Sequence, residues 1–235
     1  MKEFFDGEAG EIYSASKEKM LLEWNQKKDS IKLHEIFKND DFIKIIKKLS
    51  EITYESGYES GTNVYFKENG ELAILDAKKG EAFSFGSDTM LDDAREVYPN
   101  DPENIYKAKL LLMQLHFHPD ADTNINPSSD DISSLIDLKY EERNDNNIND
   151  YNHVEIIMQI DNNKIIRALI IQNDYYEKEK MDQIMEFFKS DHDNAAVIKM
   201  LKNNGFNSEL IESNKNGTFS GKELDKLVKY KFIGK

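Results

Sequence analysis

Between His153 and Gln172 the chain reads HVEIIMQIDNNKIIRALIIQ, two apolar runs around the polar turn Asp161-Asn162-Asn163. Short runs rich in Ile, with a turn of Asp and Asn between them, describe a β-hairpin. A second hairpin is expected in TNVYFKENGELAILDA, where Glu68-Asn69-Gly70-Glu71 supplies a tight Asn-Gly turn, and EAFSFG reads as a further strand. Helical spacing governs much of the rest. From Ser16 to about Ser50 apolar residues recur at Met20, Leu21, Trp24, Ile31, Leu33, Ile36, Phe37, Phe42, Ile46 and Leu49, with a break and new N-cap at Asn39–Asp41. DTMLDDAREVY, SSDDISSLIDLKYEE and residues 176–189 also read as helices, and RNDNNINDYN as a polar loop. KAKLLLMQLHFHP fits a buried strand or a short helix, and its final alternation favours the strand. Helices and strands alternate irregularly. The expected fold class is therefore α/β (α+β), one mixed β-sheet flanked by helices. A helical N-terminal segment covers 1–40, the main domain 41–190, and a small helical tail with a Gly-containing loop 191–235.

The formal net charge of the 235 residues is -14, which makes nucleic acid a poor partner. There is no Cys, hence no disulfide framework and no thiol nucleophile. The apolar runs LLLMQL and IIRALII are far too short to span a bilayer, and MKEFFDGEAGEIYS does not read as a secretory signal, so a cytoplasmic protein is expected.

The chemistry concentrates in HFHPDADTNINPSSDD, His116 to Asp131. In a strand, residues two apart share a face. His116 and His118 would present both imidazoles on one side, with Phe117 buried on the other. Such a pair suits a zinc site that keeps a position for water. Ser128-x-x-Asp131 is a capping box on the opening of the following helix. Cap and ligand are compatible roles, because a helix N-terminus can fix Asp131 while its carboxylate reaches a metal.

His116-Phe-His118-Pro119 followed by Pro127-Ser128-x-x-Asp131-Ile132 resembles the signature of the JAMM (JAB, MPN-plus) zinc metallopeptidases, and its ending is similar to the RadC branch. The order of elements from about Asp41 to Lys189 is also similar. The spacer before Asp131 is longer than is usual in that superfamily, which keeps Asp130 as an alternative ligand. The resemblance implies a JAMM/cytidine-deaminase-like sheet and Zn2+ held by His116, His118 and Asp131. It further implies that Ser128 helps stabilise the tetrahedral oxyanion and that an upstream Glu acts as general base. YESGYESG offers two registers for that Glu. Glu59 leads directly into NVYF, and Glu55 is the alternative. The implied activity is hydrolysis of an amide or isopeptide bond in a protein or peptide substrate, such as a ubiquitin-like protein joined to a lysine. The alternative is a non-catalytic scaffold of the same fold. HFHPDAD also resembles part of the metallo-β-lactamase motif, but Ala121 stands where that motif needs a histidine.

His34, His153 and His192 read as surface or partly buried residues without ligand partners. In the tail, ESNKNGTFSGKE matches the spacing of a calcium loop, with Glu212, Asn214, Asn216, Thr218 and Glu223 at ligand places and Gly217 at the sixth. The simpler alternative is a turn between two short helices, with Ser220 capping the second.

Overall fold

A computed structural model describes residues 30–67, 71–80, 97, 111–119, 124–133, 135, 154–173 and 180–232. The expected helix over 16–29, the Asn-Gly turn, the EAFSFG strand, the DTMLDDAREVY helix apart from Val97, the far end of the SSDDISSLIDLKYEE helix, the 143–152 loop and the 176–179 helix start lie outside the described residues.

Two helices lead in, α1 (Leu33–Ile36) and α2 (Asp40–Ser56). The Asn39 side chain accepts from the N–H groups of Asp41 and Phe42, so the expected break is an N-cap. α2 continues past Ser50 and stops at Gly57, whose φ of 66° is the left-handed conformation that closes a helix. The first YES of the doubled motif is therefore helical, and only the second leads into a strand.

Strands β1 (Ser60–Phe66), β2 (Leu72–Ile74), β3 (Lys78–Lys79), β4 (Leu111–Phe117), β5 (Val154–Ile160) and β6 (Ile166–Asn173) follow. After them come α3 (Met181–Phe187), α4 (Asn194–Asn203), β7 (Phe206–Glu212) and α5 (Gly221–Asp225). The strands form one mixed seven-stranded sheet in the order β2-β1-β4-β5-β6-β7, with β3 also on β1. Among the described residues only β4 and β5 run parallel; the other pairs are antiparallel. This is the expected α/β class, and the open choice for KAKLLLMQLHFHP resolves to a strand over its described part, Leu111–Phe117.

The sheet is covered on both sides, which explains why its strands read as nearly continuous apolar runs. On one face Leu115, Phe117, Val154, Ile156, Met158, Ala168 and Ile170 pack with Phe42, Ile46 and Leu49 of α2. On the other face Ile157, Leu169 and Ile171 pack with Ile125, Ile132, Val197 and Leu201. Each of these larger aliphatic or aromatic side chains contributes about 1.5–3 kcal/mol when fully removed from water, the Ala168 methyl less. Among the described residues no helix is long and apolar enough to cross a membrane.

The expected helical tail requires correction. β7 pairs with β6 from Arg167↔Glu212 to Asn173↔Phe206, and Leu224, Leu227, Tyr230 and Phe232 enter the first core. FNSELIE lacks strict alternation, because Leu210 and Ile211 are adjacent, so its strand character comes from pairing with β6 rather than from its own pattern. The loop after it thus follows a strand, not a helix. Its polar groups engage one another and nearby cations. Glu212 accepts from Arg167, Glu223 accepts from the Glu212 N–H and from Lys226, and Asn214 bonds Thr218 and the Asn216 N–H. Ser220 caps α5, as the simpler alternative expects.

The β5–β6 turn is held by Asp161. Its carboxylate accepts from Asn163 N–H at 2.8 Å, Ile165 N–H at 2.9 Å and Arg167 at 3.2 Å. Burial pushes the Asp161 pKa up, but these donors outweigh it and leave it below the usual carboxylate range. A carboxylate with a depressed folded pKa contributes stability above its unfolded pKa and loses it as pH falls through the folded value. Asp161→Ala is expected to cost about 2 kcal/mol in urea unfolding at neutral pH. The difference from wild type will shrink on acidification below the ordinary carboxylate range. An equal difference at all pH values would remove the charge from this account.

Candidate metal centre

The β4 register decides which side chains meet. Leu115 and Phe117 face α2, so His116 projects to the opposite face, and His118, just past the strand end, joins it. The two imidazole rings lie 4.9 Å apart between centroids, with their Nε2 atoms 3.0 Å apart. Asp131 completes a triangle. Its Oδ1 is 3.3 Å from His116 Nε2, and its Oδ2 is 3.4 Å from His118 Nε2. A tetrahedral ion with bonds of about 2.0–2.1 Å separates its ligand atoms by about 3.3–3.4 Å. The two imidazole–carboxylate distances run to different oxygens of Asp131, and one ligand atom from each of the three side chains lies within 4.8 Å of the others, so together they could hold a metal ion.

Asp131 is placed by the helix that opens at 129. Its backbone N–H donates to Ser128 Oγ at 3.1 Å, and Ser128 N–H donates to Asp131 Oδ2 at 2.6 Å. The capping box and the ligand role thus share one carboxylate, with Oδ1 turned to His116. Ile125 and Ile132, both fully buried, anchor this segment, and α4 ties it down through Asn194 to the Ile125 N–H. Asp130 is exposed and outside the cluster.

The structure separates the two glutamates. Glu55 is exposed on α2, which packs on the sheet face carrying Phe117, across the sheet from the histidines. Glu59 is buried, and its carbonyl accepts from Gly80 N–H in continuation of the β1–β3 ladder. Since Gly61 pairs with His116, strand alternation puts Glu59 on the histidine face, beside His118. Gly61 has no side chain to crowd the His116 ring. The junction is held by buried hydroxyls: Ser60 Oγ lies 2.7 Å from Thr53 Oγ1 and donates to the Leu49 carbonyl.

The same face carries polar residues that sequence reasoning missed. Asn63 and Gln114 lie beside the histidines, and β5 adds Glu155 and Gln159; all four are at least nine-tenths buried. Gln159 Oε1 has no hydrogen-bond partner among the described residues. Glu155 Oε1 lies 3.0 Å from His116 Nδ1. A lone acid in an apolar strand was the available signal, but only the parallel pairing of β4 and β5 tells which histidine it meets.

The electrostatics follow from this packing. Burial pushes the His116 pKa down, but Asp131 and Glu155 outweigh it and hold the imidazole well above its usual range. Burial pushes Asp131 up, and the two histidines more than reverse this, holding it well below the carboxylate range. Burial raises the Glu155 pKa, with His116 opposing. The remaining described histidines serve elsewhere: His34 pairs with Glu35, and His192 stacks on Phe187 and bonds its carbonyl. His153 lies outside the described residues.

Comparison of the chain with protein-family models, curated proteins and solved structures gives no match.

Proposed function

We propose that the chain is a zinc-dependent hydrolase of the JAMM type that cleaves an amide or isopeptide bond in a protein or peptide. The observation that carries this reading is the convergence of His116, His118 and Asp131 within bonding reach of one ion, with Ser128 capping the helix that presents Asp131. Two neutral nitrogens and one carboxylate are the donor set of a catalytic zinc site with a position left for water. When bound there, zinc would supply a Lewis acid that polarises a carbonyl and lowers the pKa of water toward neutrality.

The chain's own groups supply the rest. The Glu59 carboxylate takes the proton of the attacking water and passes it to the leaving amine. Ser128 Oγ already accepts from the Asp131 N–H, so its own hydrogen remains to donate to the oxyanion as the carbonyl becomes tetrahedral.

The test is hydrolysis of a peptide joined through its C-terminus to a lysine ε-amine, by protein reconstituted to one zinc per chain. Activity lost on chelation and restored by zinc supports the reading. Full zinc loading with no cleavage across such substrates would sink it and favour a non-catalytic scaffold.

A further inference from the structure

Glu155 is a carboxylate in the middle of the sheet, 3 % exposed, between Val154 and Ile156 of the first core. Leaving such a group without a partner costs several kcal/mol. Among the described residues its hydrogen-bond partner is His116, through Nδ1 at 3.0 Å. The pairing is built into the fold. β4 and β5 are parallel neighbours with Gln114↔Glu155 and His116↔Ile157 in register, so Glu155 lies beside the histidine strand on the same face.

The His116 ring has two nitrogens with different surroundings. Nε2 faces His118 and Asp131, while Nδ1 faces Glu155. A neutral imidazole carries one N–H. With that hydrogen on Nδ1, it donates to Glu155, and the Nε2 lone pair points at the three-residue cluster. With the hydrogen on Nε2, the Nδ1 lone pair would confront a buried carboxylate, and no lone pair would face the cluster.

We infer that Glu155 is the positioning residue of the metal site: through the Nδ1 hydrogen bond it fixes the His116 tautomer and ring orientation so that Nε2 is presented to a divalent cation. The assignment rests on the proposed zinc site. It adds a residue that acts through a ligand and does not touch the ion. Partners of this kind orient metal-binding histidines and raise their basicity, and losing one weakens metal affinity roughly 10–100-fold.

The test uses zinc alone as the probe, with the full chain and the variants Glu155→Leu and Glu155→Gln. Zinc dissociation constants come from competition with a chromophoric chelator, and thermal unfolding of the metal-free proteins is followed in parallel. Glu155→Leu is expected to weaken zinc roughly 10–100-fold. Its metal-free form should also melt lower than wild type, because the buried His116 Nδ1–H loses its acceptor. The discriminating comparison is with Glu155→Gln: recovery of most of the zinc affinity by a side chain that keeps an acceptor at Nδ1 marks positioning, whereas general damage to the fold would not be rescued by it. Glu155→Gln, whose amide oxygen still accepts from Nδ1–H, should lose less, and it also serves if the leucine variant does not fold. In the zinc-loaded wild type the His116 Nδ1 proton should exchange slowly in NMR spectra, and that protection should vanish in Glu155→Leu. Wild type that binds zinc while both variants bind it equally well overturns the role of Glu155. Wild type that binds no zinc after reconstitution overturns the metal site, and this assignment with it.

Discussion

Asp131→Ala is expected to reduce bound zinc from about one per chain to near zero. Two histidines whose Nε2 atoms lie 3.0 Å apart remain, and two neutral nitrogens are a poor site for a doubly charged ion. The same change removes the acceptor of the Ser128 N–H, so the helix opening at 129 should also lose about 1 kcal/mol of capping. His118→Ala removes a ligand and leaves the cap intact. It should therefore match Asp131→Ala in zinc content but not in the stability of the metal-free protein. Metal analysis together with urea unfolding separates the two effects. Retention of stoichiometric zinc by Asp131→Ala would mean that the ion binds elsewhere.

Glu59→Gln is expected to abolish cleavage by a factor of about 10²–10⁴ while leaving zinc content and fold unchanged. The carboxylate shares the histidine face beside His118 but belongs to no part of the three-residue ligand cluster. A group that moves a proton should affect turnover, not loading. Glu55→Gln is the matched control, since Glu55 lies exposed on a helix across the sheet, and its activity should stay within about twofold of wild type, as for most surface substitutions. If Glu55→Gln were the inactive variant, the base assignment would move and the account of the β1 register would fail. Rates on an isopeptide-linked substrate, read beside zinc content, decide this.

Much of this arrangement is legible in the sequence because it depends on local rules. Asn39 caps α2 because its side chain suits that position, and the Ile-rich runs on either side of Asp161 pair because their turn brings them together. His-x-His lands on one face because strand alternation has a period of two. Ser128 and Asp131 meet because a helix opening spaces them so. The remainder depends on partners distant in sequence. β7 is a strand because β6 offers it an edge. Glu155 finds His116 across a separation of 39 residues, which no local pattern encodes. The choice between Glu55 and Glu59 turns on one residue, Gly57, whose left-handed backbone ends α2 between them.

The parallel joint of the sheet has a kinetic consequence. Pairs such as β5–β6 close through a short turn, and local contacts of that kind assemble early. β4 and β5 can pair only after the 36 residues between Phe117 and Val154 have been laid across, which carries a larger loop-closure entropy. His116 stands where the chain leaves on that excursion, Asp131 lies within it, and Glu155 lies where it returns. An ion held at that mouth forms its bonds only after this crossover has closed. Contacts absent from the folding barrier act on escape from the native state rather than on arrival. Zinc should therefore slow unfolding by nearly its whole stabilising effect and leave the refolding rate almost untouched, acting as a latch on the crossover and not as its template.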